Sequence, residues 1–196
     1  MVSLTEMEKK AVLVIFKDFT AYYNANSISK VLGMSRVGAL KMLRKMEKGG
    51  LVSSQPIGKS IVYKLKLDDD YVRKLVAFLL ADEANGFRRW KEEFREMFKE
   101  GCIVMLFGSA IANYEKARDI DILIAAPKGS MQKIGKAIES RREILPKKLH
   151  AIKLTRRELE SNIKRKSPTI LDIIRKGVIL HGQDTYVEVM KIVTGA

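Results

Sequence analysis

The chain has 196 residues, enough for one large domain or two small ones, and its 46% hydrophobic and 31% charged content is that of a packed globular protein rather than a disordered one. Its 37 Lys and Arg against 23 Asp and Glu leave a formal charge of +14, which favours an anionic partner, nucleic acid or a phosphate-bearing substrate. Cys102 is the only cysteine, so an intrachain disulfide and a Cys-built zinc site are both excluded, and its setting in "CIVMLF" reads as a buried structural thiol. No apolar run approaches the roughly 18 residues of a membrane span, and "MVSLTEMEKK" lacks a signal-peptide core, so a cytoplasmic protein without membrane contact is expected.

Residues 1–67 read as three helices and a hairpin. Met7, Ala11, Val14 and Ile15 recur at helical spacing in the first helix. Ser27 is placed to cap a short second helix ending near Leu32, where Gly33 turns the chain. Ser35 then caps "RVGALKMLRKMEKGG", with Val37, Leu40, Leu43 and Met46 expected inward and Gly49-Gly50 as its stop. Two alternating strands, "LVSSQ" and "IVYKLK", flank the turn "PIGKS". After the acidic "LDDD", residues 68–100 read as connecting helices. "YVRKLVAFLLADE" has the broad apolar face of a dimer helix. "FRRWKEEFREMFKE" carries Phe87, Trp90, Phe94 and Phe98 on one stripe, suited to covering a sheet.

Residues 101–196 change to an α/β pattern. Strand "IVMLF" leads to Gly108-Ser109, then come strand "DIDILIA", helix "MQKIGKAIESRRE" and strand "LHAIKLT". Helices "RRELESNIKR" and "PTILDIIRKG", strand "VILHG" and a short tail complete the chain. Positive charge concentrates here, residues 133–176 holding 14 Lys and Arg against 5 Asp and Glu. That distribution has the second half meeting an anionic surface as well.

Helix, short helix, turn, longer helix and hairpin, in that order, resemble a winged helix-turn-helix over about a third of the chain. The resemblance implies double-stranded DNA as partner and a homodimer as the default assembly. On the third helix Gly38, Lys41, Met42 and Lys45 lie opposite the expected apolar stripe, where a recognition helix faces the major groove. Ser35 and Arg36 stand at its N-terminal end, within reach of base edges or phosphate, and Lys59 at the hairpin tip would meet the backbone or minor groove.

The chemistry-bearing pattern is Gly108-Ser109, nine residues, then Asp119-x-Asp121. Residues two apart on a strand share a face, so both carboxylates aim at one point and suit Mg²⁺ or Mn²⁺. A Gly-Ser turn lets a phosphate approach the backbone closely, with the hydroxyl and following N–H groups as donors. Metal and phosphate cradle together are the equipment of phosphoryl or nucleotidyl transfer.

"FGSAIANYEKARDIDILI" resembles the DNA polymerase beta-type nucleotidyltransferases, especially the minimal ones, and "IIRKGVILHG" (173–182) is similar to their C-terminal helix and strand. The resemblance spans about residues 86–185. It implies an α+β chain in which an N-terminal winged helix-turn-helix precedes a small nucleotidyltransferase-fold domain with a mixed sheet. Gly108 and Ser109 would then bind the triphosphate, and Asp119 and Asp121 would be catalytic and hold the divalent metals. It also implies transfer of a nucleotidyl group to a hydroxyl of nucleic acid or of a protein acceptor, such as the toxin-like partner of antitoxin members. The chain departs from the pattern on the next strand, where the third carboxylate is replaced by His150. A neutral imidazole is a poor Mg²⁺ ligand. His150 therefore reads as a general base, a ligand for a softer metal or a structural residue, with Lys147, Lys148 and Lys153 adding positive charge nearby. The alternative function is a transcriptional regulator whose transferase-like domain is catalytically degenerate and serves as nucleotide sensor or dimerisation unit.

Overall fold

A computed structural model describes residues 4–195. Residues 1–3, the start of the segment read as lacking a signal-peptide core, and Ala196, the last residue of the expected second domain, lie outside the described residues. The protein is α+β and divides into two compact units, one ending at Val76 and the other Ala77–Gly195. The division falls within the segment expected as a connector, inside helix α4 (Asp70–Asn85).

The first unit contains α1 (Glu6–Lys17), α2 (Ala25–Leu32), α3 (Arg36–Lys48) and an antiparallel hairpin of β1 (Val52–Ile57) and β2 (Ser60–Leu65). The cap of α2 is Asn24, whose side-chain oxygen accepts from the N–H groups of Asn26 and Ser27, each at 2.9 Å. Ser27, expected in that role, sits at the third helical position, and its hydroxyl oxygen accepts from the Asn24 N–H at 2.9 Å. Two competent capping residues lie three apart, and the capping box uses both. On α3 the Ser35 hydroxyl caps as expected, accepting from the Gly38 N–H at 3.1 Å.

The inward face of α3 is Ala39, Met42, Leu43 and Met46, while Val37 is 65% exposed. The expected stripe 37, 40, 43, 46 advances by three residues each time. At 3.6 residues per turn that drifts about 60° per step, leaving Val37 on the far side of the helix from Met46. The observed 39, 42, 43, 46 alternates steps and stays on one face. The same shift on α1 buries Ala11, Val12, Ile15 and Phe16 and leaves Met7 exposed. One polar contact joins these helices: Lys45 Nζ lies 2.8 Å from Oε1 of Glu8, a carboxylate only 3% exposed.

The second unit is built on a mixed four-stranded sheet of order β5-β4-β3-β6, from β3 (Ile103–Phe107), β4 (Asp119–Ala126), β5 (Lys148–Thr155) and β6 (Val178–His181). β4 and β5 run parallel because helix α7 (Met131–Ile144) carries the chain back between them; the other pairings are antiparallel. Strand alternation gives the sheet two faces. Ile120, Ile122, Ile124 and Ala126 join Val104, Leu106, Val178 and Leu180 in one core with Trp90, Phe94, Met97, Ile134 and Ile138. The expected aromatic stripe thus does cover the sheet, though helix α5 (Arg88–Glu93) stops early and a 3-10 turn, Arg95–Met97, continues it. α8 (Arg156–Lys164) and α10 (Gln183–Thr194) pack on the opposite face, and α9 (Pro168–Lys176) packs against α8.

α10 corrects the expectation of a short tail. Its Tyr186, Val187, Val189 and Met190 are buried, an i, i+1, i+3, i+4 stripe that a brief terminal segment hides from inspection. Cys102 is buried, and burial pushes its thiol up, as expected of a structural cysteine. Among the described residues no helix is long and apolar enough to cross a membrane.

Gly182, between β6 and α10, has φ +81°, and a Cβ there would strike the Cys102 carbonyl. Gly195 has φ +68° but open space around it. Gly182→Ala is therefore expected to destabilise by about 2 kcal/mol or more, and Gly195→Ala by about 1 kcal/mol, in urea titrations of the full chain. Equal effects would show that the Cys102 contact is absent in solution.

Candidate functional site

In the second unit the site lies at one end of the sheet. Asp119 and Asp121 share a face of β4 with the buried Leu123 and Ala125 but precede them, where the strand begins. The parallel register sets His150 of β5 directly beside Asp121, and Lys148 beside Asp119. His150 Nδ1 is 3.5 Å from Asp119 Oδ2 and 3.4 Å from Asp121 Oδ1. Ligand atoms of all three residues lie within 4.8 Å of one another. The side chains are 34%, 20% and 44% exposed in the order Asp119, Asp121, His150, so water and solutes reach them.

β3 pairs Phe107 with Asp121, which delivers the next residue, Gly108, against the Asp121 carboxylate. Gly108 has φ +78°, ψ −164°, a region essentially limited to glycine, and a Cβ there would collide with Asp121 Oδ2. Glycine is thus required twice, for its backbone angle and for the space it leaves. Ser109 follows, exposed, at the first position of the single-turn helix α6 (Ser109–Ala112). The two halves of the sequence pattern, ten residues apart, therefore meet in space.

Burial, and after it the charge of Asp119, holds the Asp121 carboxyl above the usual carboxylate range, with hydrogen bonding to His150 pulling it partly back. Two carboxylates thus face one partly exposed imidazole, with Lys148 in register beside Asp119. The donor set fits a divalent cation: two carboxylate oxygens and an imidazole nitrogen converge from adjacent strands. Imidazole is a ligand for transition metals, so among Mg²⁺ and Mn²⁺ the set suits Mn²⁺ better.

Of the other expected cations Lys148 stands in register beside Asp119, while Lys153 and Lys147 are not part of this group. Lys153 pairs in register with Ile124, three residues beyond His150, and an odd offset on a strand places it on the other face. Lys147 Nζ is committed to backbone, donating to the carbonyls of Tyr114 (2.5 Å), Glu115 (3.0 Å) and Ala117 (2.6 Å) and sitting 4.4 Å from the Tyr114 ring centroid. It fastens the loop that enters β4. Sequence reasoning missed this role because backbone carbonyls leave no residue signature.

In the first unit a separate groove of about 470 Å³ is lined by Asn24, Asn26, Arg36, Leu40, Arg44, Lys59 and Tyr63, among others. Arg36 and Lys59, expected to meet DNA, line it; Lys41 is exposed on α3 outside the lining. Lys45 is turned to Glu8, and Met42, expected on the outer face, is buried. The Ser35 hydroxyl serves as the helix cap. Arg44, overlooked in the sequence, follows Arg36 by eight residues and joins it in the groove.

A carboxyl held above its ordinary value of 3.8 binds its proton more tightly in the folded state than in the unfolded one. Its contribution to stability therefore falls as pH rises from about 3.8 through the raised value. Asp121→Asn is expected to raise the urea midpoint at pH 7 in metal-free buffer, and the gain should vanish below that window. A midpoint lowered at pH 7 would show that Asp121 is a net stabilising group. Comparison of the chain with protein-family models, with curated proteins and with solved structures gave no match.

Proposed function

We propose that this chain is a homodimeric DNA-binding protein, made of a winged helix-turn-helix and a nucleotidyltransferase-type domain, whose second unit binds a nucleoside triphosphate with a divalent cation. The observation that carries the reading is the meeting of Asp119, Asp121 and His150 beside a glycine whose missing Cβ makes room for Asp121. Asp119, Asp121 and His150 would hold the cation, which when bound neutralises charge on a transferring phosphoryl group. Gly108 keeps the approach to the carboxylates open, and the exposed Ser109 hydroxyl beside it is placed to donate to phosphate oxygens. The reaction class is nucleotidyl transfer to a hydroxyl of nucleic acid or of a protein acceptor. Support for the DNA half comes from α3, whose outer side presents Arg36, Lys41 and Arg44, and from the basic groove it forms with the hairpin.

His150 favours a second reading, a regulator that binds nucleotide without transferring it. An imidazole brings no negative charge where a third carboxylate would, and Lys148 stands next to Asp119.

Mn²⁺ titration of the full chain, followed by electron paramagnetic resonance, is expected to show binding that weakens at least about ten-fold in Asp119→Asn/Asp121→Asn. Labelled triphosphates with Mn²⁺ or Mg²⁺ then separate the two readings. Label transferred by the native chain and not by the double variant supports transfer; retention without transfer supports the regulator. Equal signals from both proteins end the nucleotide reading.

For the first unit, Arg36→Ala and Arg44→Ala are each expected to weaken duplex binding and to lower the slope of log affinity against log salt by about 1. Lys45→Ala should leave that slope unchanged, since Lys45 is engaged with Glu8. An unaltered slope in the arginine variants would move the DNA contact elsewhere.

A further inference from the structure

We propose that Val37 reads sequence by packing on the C5 methyl of a thymine, while Arg36, Arg44 and Lys59 hold the phosphodiester strand beside it. The inference rests on the duplex-DNA reading of the first unit and adds to it a residue and a base.

Val37 is the second residue of the 13-residue α3 and is 65% exposed. A β-branched residue on a helix loses side-chain freedom, and without burial nothing within the chain offsets that loss. Its neighbours along the helix surface are cationic. At helical spacing Val37, Lys41, Arg44 and Lys48 form one line on the side away from the core, and all four are exposed. Arg44 on that line also lines the groove, so the valine and the groove belong to one continuous surface.

The charge pattern selects the kind of partner. From Phe19 to Met46 the chain has no Asp or Glu but carries Lys30, Arg36, Lys41, Arg44 and Lys45. Only Lys45 among these is drawn into an ion pair among the described residues. Past Met46 the acid Glu47 stands beside Arg44 near Tyr63, and Ile61 is a second exposed apolar residue in the groove, so the surface mixes cations in excess with apolar points and fits a polyanion that has an apolar feature of its own. In duplex DNA the major groove admits a helix, and the thymine methyl is the apolar group on its floor. The Ser35 hydroxyl is occupied in capping α3 and Arg36 turns to the groove, which leaves Val37 and Lys41 as the exposed side chains at this end of the helix able to meet bases.

The test is selection of the full chain on a random-sequence duplex library, followed by replacement of each thymine in the selected site by deoxyuridine, which removes only the methyl. One such replacement is expected to weaken the native chain about four-fold, the effect of one buried methyl group. Val37→Ala should lose the corresponding preference in selection and be indifferent to that replacement, while keeping the native salt slope. Salt-sensitive duplex binding with no methyl dependence, or equal methyl dependence in both proteins, overturns this inference and spares the DNA reading. Absence of duplex binding overturns both. A change in sedimentation of Val37→Ala with no change in base preference would assign Val37 to a contact between copies and overturn the inference.

Discussion

Two carboxylates two residues apart on a strand must point the same way, and the end of the second unit's sheet is arranged around the repulsion that follows. Asp119 and Asp121 cannot separate without breaking the alternation that buries Ile120 and Ile122 on the other face. Relief has to come from neighbours. β5 brings one imidazole by parallel register, β3 brings a glycine that yields its side-chain volume, and Lys147 ties down the loop that enters β4. Asp121 remains harder to ionise than an ordinary aspartate, first because it is partly out of water and then because Asp119 lies beside it. The cation proposed for this site would act on both of those causes, since it brings positive charge to two carboxylates that are open to solvent.

The two long-range facts that matter most, β4 beside β5 and β4 beside β3, follow from chain connectivity. A helix between two strands calls for parallel pairing, and α7 meets that requirement with Ile134 and Ile138 packed into the sheet's core. Parallel pairing then fixes which residue of β5 faces Asp121. A one-residue slip would replace His150 by Leu149 or Ala151 and turn the imidazole to the other face. The buried Leu149 holds that register from the opposite face.

Much of this was legible in the sequence because it is written in residue identity and short spacing. Asp119 and Asp121 on one face and the aromatic cover of Trp90 and Phe94 follow from periodicity, whereas Gly108 beside the carboxylates and His150 on the next strand were expected from the family resemblance of the motif. What was not legible depends on which of two nearly equal faces wins. On α3 the apolar residues permit two stripes, and tertiary packing chose the one that buries Ala39 and Met42 and releases Val37. The role of Lys45 turned on Glu8, 37 positions earlier, and that of Lys147 on carbonyls some thirty positions earlier. A single sequence carries no local mark of such contacts. α10 was passed over because the helix starts directly after Gly182 and its buried stripe, Tyr186 to Met190, is only five residues long.

The net charge of +14 therefore overstates the positive charge left without an internal partner. Lys45 neutralises a buried carboxylate, Lys147 is spent on carbonyl oxygens, and Arg141 bridges Glu93 and Glu96 within the second unit's packing. These cations are structural, and their pairs are less screened than pairs in free solution because part of each lies out of water. Arg36, Arg44 and Lys59 make no ion pair among the described residues, yet they line one groove. Glu47 follows Arg44 by three residues and both act on Tyr63 in the groove lining, so these like charges are offset there by a single acid. For the anionic partner proposed above, it is these few cations, more than the total, that would set how steeply binding responds to salt.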